Sequence, residues 1–296
     1  MESTRLFRPS TVAIIGAMGP DAAMYFYKLL MDISGASKDQ GYPSVNILQN
    51  TNIPDRTGAI LEGGQDPTFE ILRSLESARR DGVRMAVMTC NTAHHFIKKV
   101  QEGIGDSVRV FDMLQITADF IRDNVKEGST IGLLATNGTV KAGVYQRYLD
   151  GVGVKAYEFS SEHQELVHSS IYGARISDDS NRRTDDGIKA GSQYYEKSAA
   201  ILADRIEELR SRRIKKIILG CTELPLVRHI LEKQFPDVVF IDPMKVLARK
   251  VIKIVKEIDK NVASARGSLS VREENEIIDT AIERFLPGYF KKKLKK

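Results

Sequence analysis

Apolar runs of four or five residues that break into small polar clusters recur along the whole chain, each followed by a stretch with apolar positions three and four apart. The runs have the length and β-branched content of buried strands, and the stretches between them have the period of helices. This alternation predicts an α/β fold of parallel sheets with helices on both faces. Strands are expected at 11–16, 45–49, 84–89, 108–111, 130–135, 154–159, 216–220 and 238–241, and helices near 20–36, 66–82, 92–103, 113–125, 139–150, 189–212, 224–234 and 243–258.

Two of the runs end at the two cysteines of the chain, in Met85-Ala-Val-Met-Thr-Cys90-Asn91-Thr92 and Lys216-Ile-Ile-Leu-Gly-Cys221-Thr222-Glu223. Each thiol is thus expected at the C-terminal end of a strand and near a helix N-terminus, where ligands bind in open α/β sheets and where the helix field favours a thiolate. The pattern repeats beyond the cysteines. Gly19 matches Gly138 and Tyr27 matches Tyr145 at offsets of 119 and 118, whereas Cys90 matches Cys221 and Asp112 matches Asp242 at offsets of 131 and 130. About a dozen extra residues must therefore lie in the second copy, and the polar stretch Arg175–Asp186 supplies them. That stretch reads as a solvated loop, with a lid over the site as the sharper alternative.

The expected organisation is two pseudo-symmetric α/β domains with the site in the cleft between them. Residues 1–112 plus 225–262 form the first, 113–224 the second, and 263–296 a C-terminal helical extension with a basic tail. Within the extension, Ser270-Val-Arg-Glu273 has the spacing of a capping box and opens a helix reaching about Phe285.

Composition narrows the function classes. The chain has 296 residues, 42% hydrophobic and 28% charged, ordinary values for a globular protein. It lacks an 18-residue apolar run and a signal-peptide pattern, so a cytoplasmic protein without a membrane partner is expected. Two cysteines are too few for a disulfide scaffold and are expected as free thiols. The net charge of +5 is matched by the five lysines of Lys291–Lys296, so it marks a solvated end and gives no sign of a nucleic-acid-binding face.

Paired thiols across a cleft suit one task, removing a proton from carbon on one face and delivering one from the other. No electron sink is visible, so such a site must stabilise a carbanion with preorganised donors and positive charge. His94 and His95, on the first helical turn after Cys90, read as structural.

The segments Gly16–Pro20, Gln49–Thr57, Thr89–His94, Leu134–Thr139, Ile188–Gly191 and Leu219–Pro225 together resemble the aspartate/glutamate racemase superfamily, over about residues 10–258. Cys221-Thr222-Glu223 and Met18-Gly19-Pro20 are similar to the aspartate racemase branch. The resemblance implies a cofactor-independent, metal-free, two-base racemase that converts an acidic amino acid, L-aspartate to D-aspartate in the first place, as a homodimer. Cys221 would take the proton from the L form and Cys90 from the D form. Arg56 and Lys189 would hold substrate carboxylates, joined by Asn91, Thr92, Thr136, Thr222, Met18 and Gly19, with Glu223 and Asn52 in support. The rivals are another racemase or isomerase of the superfamily, of glutamate or broad specificity, and a non-catalytic redox sensor in which the two thiols form a disulfide.

Overall fold

The computed structural model describes residues 8–176, 183–265 and 269–289. Residues 177–182 of the polar stretch and the lysine-rich end lie outside the described residues. The first half runs β1 (Val12–Ile15), α1 (Pro20–Ser34), β2 (Val45–Leu48), α2 (Arg56–Leu61), α3 (Thr68–Arg80), β3 (Met85–Met88), α4 (Ile97–Ile104), β4 (Arg109–Phe111) and α5 (Met113–Asn124). The second runs β5 (Thr130–Leu134), α6 (Asn137–Lys141), α7 (Gln146–Asp150), β6 (Lys155–Ala156), α8 (Ser161–Tyr172), α9 (Tyr195–Ser211), β7 (Lys216–Leu219), α10 (Arg228–Gln234), β8 (Val239–Ile241) and α11 (Pro243–Ser264), and α12 (Val271–Phe285) follows.

The strands form two parallel four-stranded sheets with the same order, β2-β1-β3-β4 and β6-β5-β7-β8. Because helices cover both faces, β1 and β3 are buried at every position, and they pair in register with Ile15 beside Met88. In each sheet the order reverses between its first and third strands, which opens a crevice beyond their C-terminal ends. One hydrophobic core joins the halves. It takes Val12, Ile14 and Val87 from the first sheet, Ile131, Leu133 and Ile218 from the second, and the apolar faces of α1, α5, α11 and α12.

The last strand departs from the expected division. Val239–Ile241 pairs with β7, so this part of segment 225–262 belongs to the second sheet. Parallel pairing keeps the fourth strand in its own copy of the repeat, and the chain returns only as a helix. That helix, α11, packs on α1 and α5. The expected helix at 139–150 is two short ones, α6 and α7, and that at 189–212 starts with 3-10 turns at Ile188–Ala190 and Ser192–Tyr194.

Two reciprocal contacts tie the halves together. Asp112 caps α5 by accepting from Leu114 N and Gln115 N at 3.1 Å each, and its second oxygen accepts from Tyr148 Oη of the second half at 2.8 Å. Asp242 caps α11 through Met244 N and Lys245 N and accepts from Tyr25 Oη of the first half at 2.7 Å. Ser270 and Glu273 form the capping box that starts α12, as their spacing predicts. At its far end the buried Tyr289 accepts a hydrogen bond from Asp112 N. Among the described residues no helix is long and apolar enough to cross a membrane.

Candidate active site between the two sheets

Cys90 and Cys221 are both free thiols, each 6% exposed, at the C-terminal ends of β3 and β7. Their loops touch: Thr222 Oγ1 donates to the carbonyl of Thr89 at 3.1 Å. The turns after the cysteines, Thr92–Phe96 and Leu224–Val227, are 3-10 turns that lead into α4 and α10.

The surroundings of Cys221 reverse one expectation. Its thiol is pushed well above the usual range, first by burial and then by the charge of Glu223, with Lys189 pulling the other way. Burial outweighs the short turn that follows, so Cys221 rests as a thiol and donates to Glu223 Oε2 at 2.9 Å. Glu223 is 2% exposed and its other oxygen pairs with Lys189 Nζ. Burial opposes the charge on Lys189, but Glu223, Tyr172 and Cys221 hold it protonated far above the ordinary lysine range. Lys189 Nζ also donates to Met18 O at 3.2 Å and lies 5.1 Å from the centre of the Tyr172 ring.

Arg56 opens α2, whose N-cap Asp55 accepts from Gly58 N. Burial works against its charge, and Cys90, Tyr172 and Asp55 more than restore it. Its Nη2 donates to Met18 O at 3.2 Å, so the two cations converge on one carbonyl from opposite halves. The preceding residue, Ala17, has a φ of 62°, a left-handed conformation that non-glycine residues rarely adopt. This strained turn aims the Met18 carbonyl at both cations. Gly19 is required by space: a Cβ there would stand 1.8 Å from Glu223 Oε1 and 3.1 Å from Lys189 Nζ.

Around the cysteine loops, the hydroxyls of Thr92, Thr136 and Thr139 bond one another at 2.9–3.1 Å, joining the halves. Asn91 Oδ1 accepts from Tyr145 Oη at 2.7 Å, while its buried Nδ2 has no partner. Arg56 Nε and Thr57 Oγ1 are also buried without partners. His94 is structural, as expected. Its Nε2 accepts from Met113 N at 3.2 Å, which puts the proton on Nδ1 for donation to the Cys90 carbonyl at 2.7 Å.

The structure therefore brings Cys90, Cys221, Arg56, Lys189, Met18, Gly19, Thr222 and Glu223 to one place, with Asn91, Thr92 and Thr136 beside them. Asn52 is exposed, and its backbone N–H bonds the Asn50 side chain in a local turn. Sequence reasoning missed Tyr172, Thr139 and Thr57, and had Tyr145 only as a repeat landmark. Thr139 and Thr57 close quoted motifs and were within reach. Tyr172 ends α8, a helix with few apolar residues that gave no signal.

The chain matches the family described as Asp/Glu/Hydantoin racemase over residues 15–251. A glutamate racemase of Carboxydothermus hydrogenoformans is 26% identical over 176 residues, which span 60% of this chain and 58% of that protein. A broad-specificity amino-acid racemase, RacX of Bacillus subtilis, is 24% identical over 81% of this chain and 96% of its own length. Among solved structures, Picrophilus torridus aspartate racemase superposes with a TM-score of 0.68 at 24% identity, covering 91% of this chain and 99% of that one. A glutamate racemase of Francisella tularensis with bound D-glutamate superposes at 0.57 and 16% identity, covering 92% and 94%. At these identities the structural likeness establishes the shared two-domain fold. With a match across most of the chain and both cysteine loops inside it, this protein belongs to the Asp/Glu/Hydantoin racemase family.

Proposed function

We propose that this protein racemises an acidic amino acid, aspartate in the first place, by proton transfer between Cys90 and Cys221 without a cofactor. The observation that carries the reading is the joined pair of cysteine loops, with buried Arg56 beside Cys90 and half-buried Lys189 beside Cys221. Arg56, beside Cys90, suits that sulfur to act as the base toward the D form. Cys221, held as a thiol, is the matching acid. For the L form the roles reverse: Cys221 passes its proton to Glu223 Oε2, at 2.9 Å, and Cys90, protonated from solvent, delivers a proton to the other face.

Removing the α-proton leaves negative charge on the α-carboxylate, which preorganised donors must stabilise. The unpartnered Asn91 Nδ2 and Arg56 Nε are such donors. Each costs about 1–3 kcal/mol while buried and unpaired, a cost recovered when a carboxylate arrives. Lys189 keeps its charge because Glu223 is beside it, and so serves the second carboxylate of the substrate. Aspartate is proposed over glutamate on the Cys221-Thr222-Glu223 motif, which places this carboxylate between the acid thiol and Lys189.

The test is racemisation of L-aspartate in D2O, without added cofactor, beside a panel of other L-amino acids. Early D-aspartate is expected to carry deuterium at Cα, while recovered L-aspartate stays largely unlabelled. Early product with mostly protium at Cα overturns the two-thiol scheme. Turnover of glutamate but not aspartate overturns the substrate assignment and leaves the scheme standing.

A further inference from the structure

A cavity of about 920 Å³ opens among α5, α7, α11 and the segment that follows α12, and none of its lining residues is among the site residues above. Its volume lies in the range of small-molecule sites. One wall, Phe285 to Tyr289, lies beyond the family match, which ends at residue 251. The C-terminal extension thus closes one wall of a cavity whose other walls come from within the family match.

The lining carries an excess of positive charge, with Arg122, Arg147, Arg249, Lys250 and Lys253 against Asp119 and Asp123. Its two carboxylates, Asp119 and Asp123, are both taken by Arg122, at 2.7 and 3.5 Å. Lys250 Nζ donates to the Phe285 carbonyl at 2.9 Å and has no ion-pair partner among the described residues. Its pKa is lowered, by burial first and by neighbouring Lys253 next, while Asp119 and Asp123 pull the other way. Arg147, Arg249 and Lys253 line the same cavity and likewise have no ion pair among the described residues. Phe120 and Phe285 are half-buried and supply apolar ring faces. Arginine forks and lysine ammonium groups around such faces fit a phosphate-bearing compound with a planar ring.

We propose that this cavity binds a phosphorylated metabolite of nucleotide size, its phosphates held by Arg147, Arg249 and Lys253 and its ring against Phe120 and Phe285. The test is calorimetric titration of the full chain with ADP, pyrophosphate and adenosine at moderate salt. ADP is expected to bind one per chain, with pyrophosphate and adenosine each at least tenfold weaker. Arg249 and Lys253 are exposed, so the pair Arg249→Glu and Lys253→Glu should fold normally and weaken ADP at least tenfold. Phe285→Ala, as a second probe, should weaken ADP while leaving pyrophosphate unchanged. Saturating L-aspartate should not displace ADP. Absence of saturable ADP binding, equal binding by the charge-reversed pair, or displacement by aspartate each overturns the proposal. So does a chain that self-associates through this face, shown by sedimentation in which the charge-reversed pair alone dissociates and ADP has no effect.

Discussion

Cys221, Glu223 and Lys189 form a single electrostatic unit, and its parts act in opposite directions on the thiol. Glu223 holds the thiol up and Lys189 draws it down. The alkaline limb of kcat/KM should report loss of the proton on the acid thiol. Glu223→Gln removes a charge that disfavours the thiolate, so that limb should move to lower pH, and Lys189→Ala should move it to higher pH. Because free L- and D-aspartate have equal free energies, each variant must change kcat/KM equally in both directions. A limb that neither substitution moves would show that Cys221 is not the titrating acid. Cys90→Ala and Cys221→Ala should each stay folded and lose racemisation by orders of magnitude, since neither enantiomer can complete the relay with one group missing. Arg56→Ala should lose about 2–4 kcal/mol of transition-state binding in kcat/KM, the usual consequence of a buried carboxylate losing a charged partner.

Between elements, the reciprocal Tyr148–Asp112 and Tyr25–Asp242 bonds hold each long interdomain helix by its cap from the opposite half. Each carboxylate is 1–2% exposed, and burial raises that of Asp242 above the usual range while Tyr25 works against the shift. Removing the hydroxyl leaves a buried acceptor with one donor fewer. Tyr25→Phe and Tyr148→Phe should therefore each lower stability by about 1–3 kcal/mol in urea unfolding, with no change in the slope of the transition. A loss under a few tenths of a kcal/mol in both would mean that water replaces the hydroxyl and the contact does not hold the halves.

At the scale of the whole molecule, the site exists only while the halves stay close, and Gly138 marks where they meet. A Cβ on Gly138 would lie 2.7 Å from Thr57 Oγ1 and 3.0 Å from Thr57 Cα, the residue next to Arg56. The second contact is backbone, so α2 must move. Gly138→Ala is expected to lower kcat/KM at least tenfold with a melting temperature within a few degrees of wild type, because the shift displaces Arg56 and leaves both cores intact. Unchanged kinetics in this variant would show that the approach of the halves has slack that catalysis does not use.

The sequence alone determined the two-copy α/β plan and the expected strands, because short apolar runs alternating with helical stretches fit parallel sheets covered on both faces. It also singled out both cysteines, since a strand end followed by a polar turn is fixed locally. Helix α8 stayed hidden because it buries polar groups: Gln164 Nε2 donates to Ala135 O at 2.9 Å and His168 Nδ1 accepts from Asn137 N at 3.3 Å. Those partners lie just after β5, at Ala135 and at the start of α6, and no periodicity within residues 161–172 encodes them. The place of β8 was likewise settled by pairing across the chain, which a strand's own residues do not specify. Only the tertiary structure decided that Cys221 rests as a thiol, because burial and the charge of Glu223 outweigh the local turn. It alone brought Arg56 and Lys189, 133 residues apart, onto the one carbonyl of Met18, since the strained turn at Ala17 points that carbonyl where the two halves meet.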